Sequence, residues 1–392
     1  MSAARARLAA RMAAIEPFEV MEIQTLARAQ EALGRDVIHL EIGEPDFRTP
    51  GPIVEAARRA LDTQPMNYTS ALGMAPLREA IARFYGERYG VAVPPERIVV
   101  TAGSSAALLL AFGVLLDAGD EVLLSDPGYP CNRHFVSALG GVPRGVPVDA
   151  ASRYQLTPDL ARGAWTPRTR VAMVATPSNP TGTLVEPEEI AALAALARER
   201  GATLLVDEIY HGLTYGRDAR TALEAGDDVF VINSFSKYFQ MTGWRLGWMV
   251  VPEGYVREIE KLAQNLFISP STIAQHAALA AFAPGTIAIL EARRHELAAR
   301  RDYLLPALDL LGFRVPVKPA GAFYLYADCS GLAGDSFAFA RRVLEEAGVA
   351  ITPGKDFGTN RPEKHVRIAY TQPVARLEEA VARLGGFLRR RA

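Results

Sequence analysis

The side chains able to do chemistry stand at the ends of short apolar runs. Lys237 follows Ser234-Phe235-Ser236, and Gly243-Trp244-Arg245 comes shortly after it. A lysine buried among apolar neighbours loses proton affinity and becomes a nucleophile or a base. Asp207 and Tyr210 close the run Thr203–Val206. An acid there is costly unless it meets a cation or a donor. Asn179 is flanked by Pro177 and Pro180, which fix its backbone and aim its amide. Tyr129, between Gly128 and Pro130, offers a flat ring that an aromatic ligand would stack on. Ala102-Gly103-Ser104-Ser105 opens a helix, where free N–H groups and two hydroxyls suit an anion. Arg245 reads as a cation inside a short strand-like run, which asks for an anion. Arg367, in Val366-Arg367-Ile368, lies on the face opposite two apolar neighbours, and its fork matches a carboxylate. Each feature has a plain alternative: a serine cap, a core tyrosine, turn chemistry, a solvated strand-end charge.

The elements that position these groups alternate. Short apolar runs at Ile98–Thr101, Glu121–Ser125, Val171–Thr176, Thr203–Val206 and Val229–Asn233 are separated by helical stretches such as Ser104–Leu116 and Glu186–Gly201. That texture predicts buried parallel strands with crossover helices, and ligands bind at the carboxyl ends of such strands. Gly321–Tyr326 and His365–Tyr370 instead alternate like half-wet strands, beside amphipathic helices at Ser336–Gly348 and Val374–Arg390. These predict a smaller α+β domain, joined by Ile15–Glu41. The fold class is therefore α/β, with a mostly parallel central sheet, helices on both faces and a second, smaller domain. Neither a GxGxxG nor a GxxxxGK[ST] fingerprint occurs, so dinucleotide and P-loop readings lack support.

Composition narrows the function. Of 392 residues 49% are apolar and 22% charged, which suits a folded enzyme rather than a disordered chain. The formal net charge of −1 supplies no field to collect nucleic acid or anionic membrane. No apolar run approaches the roughly 20 residues of a membrane span. Cys131 and Cys329 are far apart and form no CxxC, so neither a disulfide framework nor a metal site is expected, and a cytoplasmic setting is. Arg5, Arg7 and Arg11 with no acid before Glu16 give the N-terminus a transit-peptide flavour. An amphipathic first helix is the preferred reading, because no Ser-rich stretch or cleavage pattern follows.

An anion cradle, a flat ring, an Asn, an Asp with a Tyr, a Lys and an Arg at successive strand ends suit a phosphorylated, cationic aromatic aldehyde that captures a lysine. In Asn179-Pro180-Thr181-Gly182, Asp207-Glu208-Ile209-Tyr210 and Ser234-x-Ser236-Lys237 with Gly243-x-Arg245, the chain resembles the fold-type I, pyridoxal-phosphate-dependent aminotransferases of class I/II. The resemblance runs from Ile42-Gly43-Glu44-Pro45-Asp46-Phe47 to Val366–Tyr370. It implies a large cofactor-binding domain over 48–290 and a small domain from 1–47 and 291–392. It implies that Lys237 forms a Schiff base with the cofactor, that Asp207 keeps the ring nitrogen protonated, and that Tyr210 and Asn179 bond the ring's phenolic oxygen. Tyr129 would stack on the ring. Ser104, Ser105, Ser234, Ser236 and Arg245 would hold the phosphate. Arg367 would take the substrate α-carboxylate, helped by the Gly43 backbone and the Asn179 amide.

The resemblance further implies ping-pong transfer of an amino group from an L-amino acid to a 2-oxo acid. It also implies a homodimer with shared active sites, in which Tyr68 reaches the neighbour's phosphate; the alternative is that Tyr68 packs on its own domain. Phe18, Phe323 and Tyr324 are candidate apolar walls, and Arg133 a candidate second carboxylate site. A pyridoxal-phosphate lyase, such as a C–S β-lyase or an aminocyclopropane-type synthase, would use the same residues. A regulatory protein on this fold would usually carry an added DNA-binding domain, and the family pattern already begins near residue 15.

Overall fold

The computed structural model describes residues 7–390. Seven strands form the main sheet: β1 (Ile98–Thr101), β2 (Glu121–Asp126), β3 (Val142–Pro147), β4 (Thr169–Ala175), β5 (Thr203–Asp207), β6 (Phe230–Ser234) and β7 (Gly247–Val250). Their order is β1-β7-β6-β5-β4-β2-β3. Neighbours from β6 to β3 run parallel, and β7 runs antiparallel to both β1 and β6. The central strands are buried along nearly their whole length, as unbroken apolar runs require. With Glu19–Ala32 labelled α1, helix α2 (Gly103–Leu115) covers one face with Ala107, Leu110, Ala111 and Phe112. Truncating fully buried Phe112 to Ala would cost about 3–5 kcal/mol.

The other unit holds a three-stranded antiparallel sheet in which His365–Ala369 lies between Thr352–Pro353 and Tyr324–Asp328. Ile38–His39 pairs in parallel with Val349–Ala350, which joins the N-terminal segment to the C-terminal part. Helix Pro284–Leu310 runs unbroken through residue 290, and buried Arg300 inside it bonds Asp46 and the Thr371 carbonyl.

Two expectations are corrected here. The strand expected at Gly321–Tyr326 starts only at Tyr324. Ala322 has φ 57° and its N–H is drawn to the Leu213 carbonyl, so the extended ladder cannot begin earlier. The amphipathic helix expected at the N-terminus lies partly outside the described residues. Within them, Ala10–Ala14 is a short 3-10 turn with no buried residue. Having no apolar face to bury, it lacks the packing that sustains a helix.

Candidate active site

The C-terminal ends of the parallel strands deliver most candidate residues to one edge. β1 leads to Ser104 and Ser105, β2 to Tyr129, β4 to Asn179, β5 to Asp207 and Tyr210, and β6 to Ser234, Ser236 and Lys237. Because β7 is antiparallel, its start lies at that same edge, and Arg245 comes just before it. Arg245 is not in a strand, as its apolar neighbours suggested. It is an exposed residue at φ 53° that closes the turn Thr242–Trp244.

Lys237 Nζ donates to the Gly43 carbonyl at 2.6 Å. Burial pushes its ammonium down to about 8, and the nearby Arg367 and Arg245 charges act in the same direction against Glu44 and Asp207. The amine is thus poised to lose its proton. Gly43 must be glycine: a Cβ there would sit 2.0 Å from the Tyr324 hydroxyl.

Asp207 is 5% exposed and accepts one hydrogen bond, from the Ile209 N–H at 3.0 Å. Burial pushes its carboxyl up to about 6, against that bond and the Lys237 charge. Such a group takes a cationic N–H partner readily. Tyr210 is buried, and its hydroxyl meets the Tyr324 hydroxyl at 3.0 Å. Asn179 Oδ1 accepts from Arg367 Nη1 at 2.9 Å, which leaves the amide N–H groups as what it can offer a ligand.

The anion cradle is built from two sides. The N-cap of α2 is Ala102, which supplies no side-chain cap, so the helix's first N–H groups are left for another acceptor. Gly103, at φ 77°, lets the Arg245 guanidinium close over this helix start, since a Cβ would lie 2.7 Å from Nη2. Ser234 Oγ bonds Ser236 Oγ at 2.9 Å and receives the Ser236 N–H at 3.1 Å, holding both hydroxyls at the edge.

Arg367 is not a surface arginine. It is 2% exposed, in the middle strand of the small sheet. It bonds the Glu41 carbonyl, and its guanidinium carbon lies 4.3 Å from the Tyr324 ring centroid and 4.9 Å from that of Phe357. Its Nε has no partner although buried. A buried cation with an unused donor fits a carboxylate.

Phe18 meets Tyr129 edge-on with centroids 6.3 Å apart, so it does border the site. Phe323 and Tyr324 are buried, and Tyr324 is no apolar wall, because its hydroxyl bonds Tyr210. Arg133 donates through both Nη atoms to the Asp356 carbonyl at 3.2 Å and lies 3.7 Å from Glu16. Tyr68 stands apart from the group at 80% exposure. Glu41, Phe357 and Asp356 escaped the sequence reading, since a buried backbone carbonyl and residues of a short 3-10 turn carry no spacing signal.

An uncapped helix start facing an arginine, a buried acid with no ion-pair contact among the described residues and a depressed lysine on one sheet edge define a site for a phosphorylated, cationic ring. The comparisons with known proteins agree. The sequence profile of the family "Aminotransferase class I and II" matches residues 35–384. A valine–pyruvate aminotransferase of Mycobacterium tuberculosis is 40% identical, covering 96% of this chain and 97% of its own. The crystal structure of an aminotransferase from Mycobacterium tuberculosis has a TM-score of 0.95 at 40% identity, covering 99% and 100% of the two chains. Aspartate aminotransferase from Thermus thermophilus with maleate has a TM-score of 0.92 at 36% identity, covering 97% and 100%. The chain belongs to the class I and II aminotransferase family. It is a pyridoxal-phosphate-dependent enzyme that moves an amino group from an amino acid to a 2-oxo acid.

Proposed function

We propose that Lys237 holds pyridoxal phosphate covalently through Nζ and then moves the proton at the substrate Cα. The observation that carries this is the placement of a depressed amine 2.6 Å from the Gly43 carbonyl, on the edge shared with Asp207. When bound, pyridoxal phosphate supplies an electrophilic carbon and a cationic ring that accepts electron density from the substrate. Asp207 holds the proton on the ring nitrogen, and its burial favours that pairing. Tyr210 and the Asn179 amide would donate to the ring's phenolic oxygen, and Tyr129 would supply the ring it stacks on. Ser104, Ser105, Ser234, Ser236, Arg245 and the start of α2 bind the phosphate. Arg367 takes the substrate α-carboxylate, with the Asn179 amide and the Gly43 backbone beside it.

The working enzyme is a homodimer in this reading, with Tyr68 of each copy reaching the phosphate of the other. The exposed Tyr68 ring supports it, as do exposed Leu266 and Ile268, which precede the Thr272 that bonds the Asn67 carbonyl. Unpaired Cys131 and Cys329 are in keeping with a cytoplasmic setting.

The donor favoured by the side-chain surroundings is apolar. Arg133, the candidate cation for a second carboxylate, is engaged by the Asp356 carbonyl and Glu16, while Phe18 and Tyr129 present ring surface. A panel of amino acids with pyruvate and with 2-oxoglutarate tests this. Transfer from alanine, valine and leucine ahead of aspartate and glutamate is expected. Preference for dicarboxylic donors overturns the apolar reading, and release of ammonia with pyruvate indicates a lyase.

A further inference from the structure

Asp356 sits in the short 3-10 turn Gly354–Phe357 and is 1% exposed. Its Oδ1 accepts the backbone N–H of Glu19, the first residue of α1, at 2.9 Å. Phe18, which precedes α1, offers no side-chain cap, so this carboxylate from 337 residues away does the capping. The same residue's carbonyl receives both Arg133 Nη atoms, at 3.2 Å. Arg133 in turn lies 3.7 Å from Glu16, and Lys355 lies 3.1 Å from Glu19. The chain entering α1 is thereby tied at Glu16 and Glu19, on either side of Phe18. Phe18 is held edge-on to Tyr129, and Phe357, next to Asp356, lies under Arg367.

We propose that Asp356 is a positioning residue that fixes the entrance to α1, and with it Phe18, as the wall against which the substrate side chain packs. This rests on the reading above in which Tyr129 flanks the cofactor ring and Arg367 takes the α-carboxylate. Burial pushes the Asp356 carboxyl up to about 6, while Arg367, the Glu19 and Val20 N–H groups and Arg133 pull it down. The Asp356 carboxylate thus holds the cap, while the ring of its neighbour Phe357 lies 4.9 Å from the Arg367 guanidinium carbon. Specificity for the side chain and grip on the carboxylate are set by one turn.

The test uses the cofactor-loaded enzyme and the ratio of kcat/KM for leucine to that for alanine. Phe18→Ala should lower the ratio about tenfold, since loss of apolar contact penalises the larger side chain. Asp356→Ala should lower it in the same direction, and the double variant should add little. Asp356→Asn keeps an acceptor and should restore most of the ratio.

Should Asp356→Ala fold poorly, Glu19→Pro removes the capped N–H together with the Lys355 ion pair, and Glu19→Ala removes the ion pair alone. Proline is tolerated at the first helical position, and Phe18, at φ −88° and ψ 104°, already lies outside the α region that a following proline disfavours. Glu19→Ala, which keeps the N–H, is its control. A second readout needs no turnover: amide exchange over residues 16–22 should speed about fivefold in Asp356→Ala and Glu19→Pro, as loss of a helix cap implies. The proposal is overturned if those two variants keep the native ratio, if Phe18→Ala does not move it, or if exchange is unchanged. Failure of the underlying reading looks different, because the unaltered enzyme would then not transfer amino groups from either amino acid.

Discussion

Arg367 and Asn179 are 188 residues apart in the chain, yet Arg367 Nη1 donates to Asn179 Oδ1 at 2.9 Å. One comes from the middle strand of the small sheet, the other from the loop after β4. This bond orients two groups at once. With Oδ1 taken, the Asn179 amide keeps only its N–H groups to offer, and the guanidinium, bonded through both Nη atoms, keeps a free Nε.

Arg367→Leu should therefore weaken every amino acid and 2-oxo acid alike, by about 2–5 kcal/mol, with cofactor absorbance nearly unchanged. Substrate titrations of the loaded enzyme measure this. A loss confined to dicarboxylic substrates would make Arg367 a side-chain selector instead.

Much of this site is legible in the sequence because each strand end is a local event. A helix start after Thr101, an acid after Val206 and a lysine after Ser236 all follow from runs of a few residues. Arg245 shows the limit. Its neighbours are apolar, so it reads as a strand residue, whereas strand β7 begins at Gly247 and Arg245 takes φ 53°. Tyr324 reads as a candidate apolar wall, and only the fold brings its hydroxyl to Tyr210. Asp356 and Glu41 act through partners in distant segments, and no spacing encodes such pairs.

Asp207→Asn should cut transamination about 10²–10³-fold, the effect of removing one partner of a buried charge pair. The cofactor-free protein should respond oppositely. Burial raises the Asp207 carboxyl from 3.8 to about 6, so the folded state holds an extra proton between those values. Stability then falls as pH rises through that window, and the variant escapes the loss. Denaturant titrations of both cofactor-free proteins at pH 4 and pH 7 should show Asp207→Asn gaining about 1–3 kcal/mol relative to the parent.

His39 bonds buried Glu41 at 2.7 Å, and the Glu41 carbonyl receives Arg367. The Glu41 carboxylate raises the imidazole from 6.5 to about 9, with Glu31 assisting and burial opposing. The resulting stability is fully present below pH 6.5 and lost as pH rises through 9. His39→Gln should flatten that dependence by about 2 kcal/mol, read from unfolding midpoints at pH 6 and pH 9.5.

Shared active sites are tested by mixing inactive variants. Lys237→Ala and Tyr68→Glu homodimers should each lose nearly all activity, the second because a carboxylate beside a phosphate is repelled. Refolded together, they should regain activity, since a mixed dimer holds one doubly altered site and one intact site. Mixed dimers without activity would place Tyr68 within its own chain's site.

The central claim is that Lys237 is the attachment point, and five lysines are available: Lys237, Lys261, Lys318, Lys355 and Lys364. Borohydride reduction of the loaded enzyme followed by peptide mapping should find the pyridoxyl group on Lys237 alone. Lys237→Ala should still bind the cofactor reversibly but incorporate none on reduction. A stable label on Lys355, or on any lysine other than Lys237, would contradict the account.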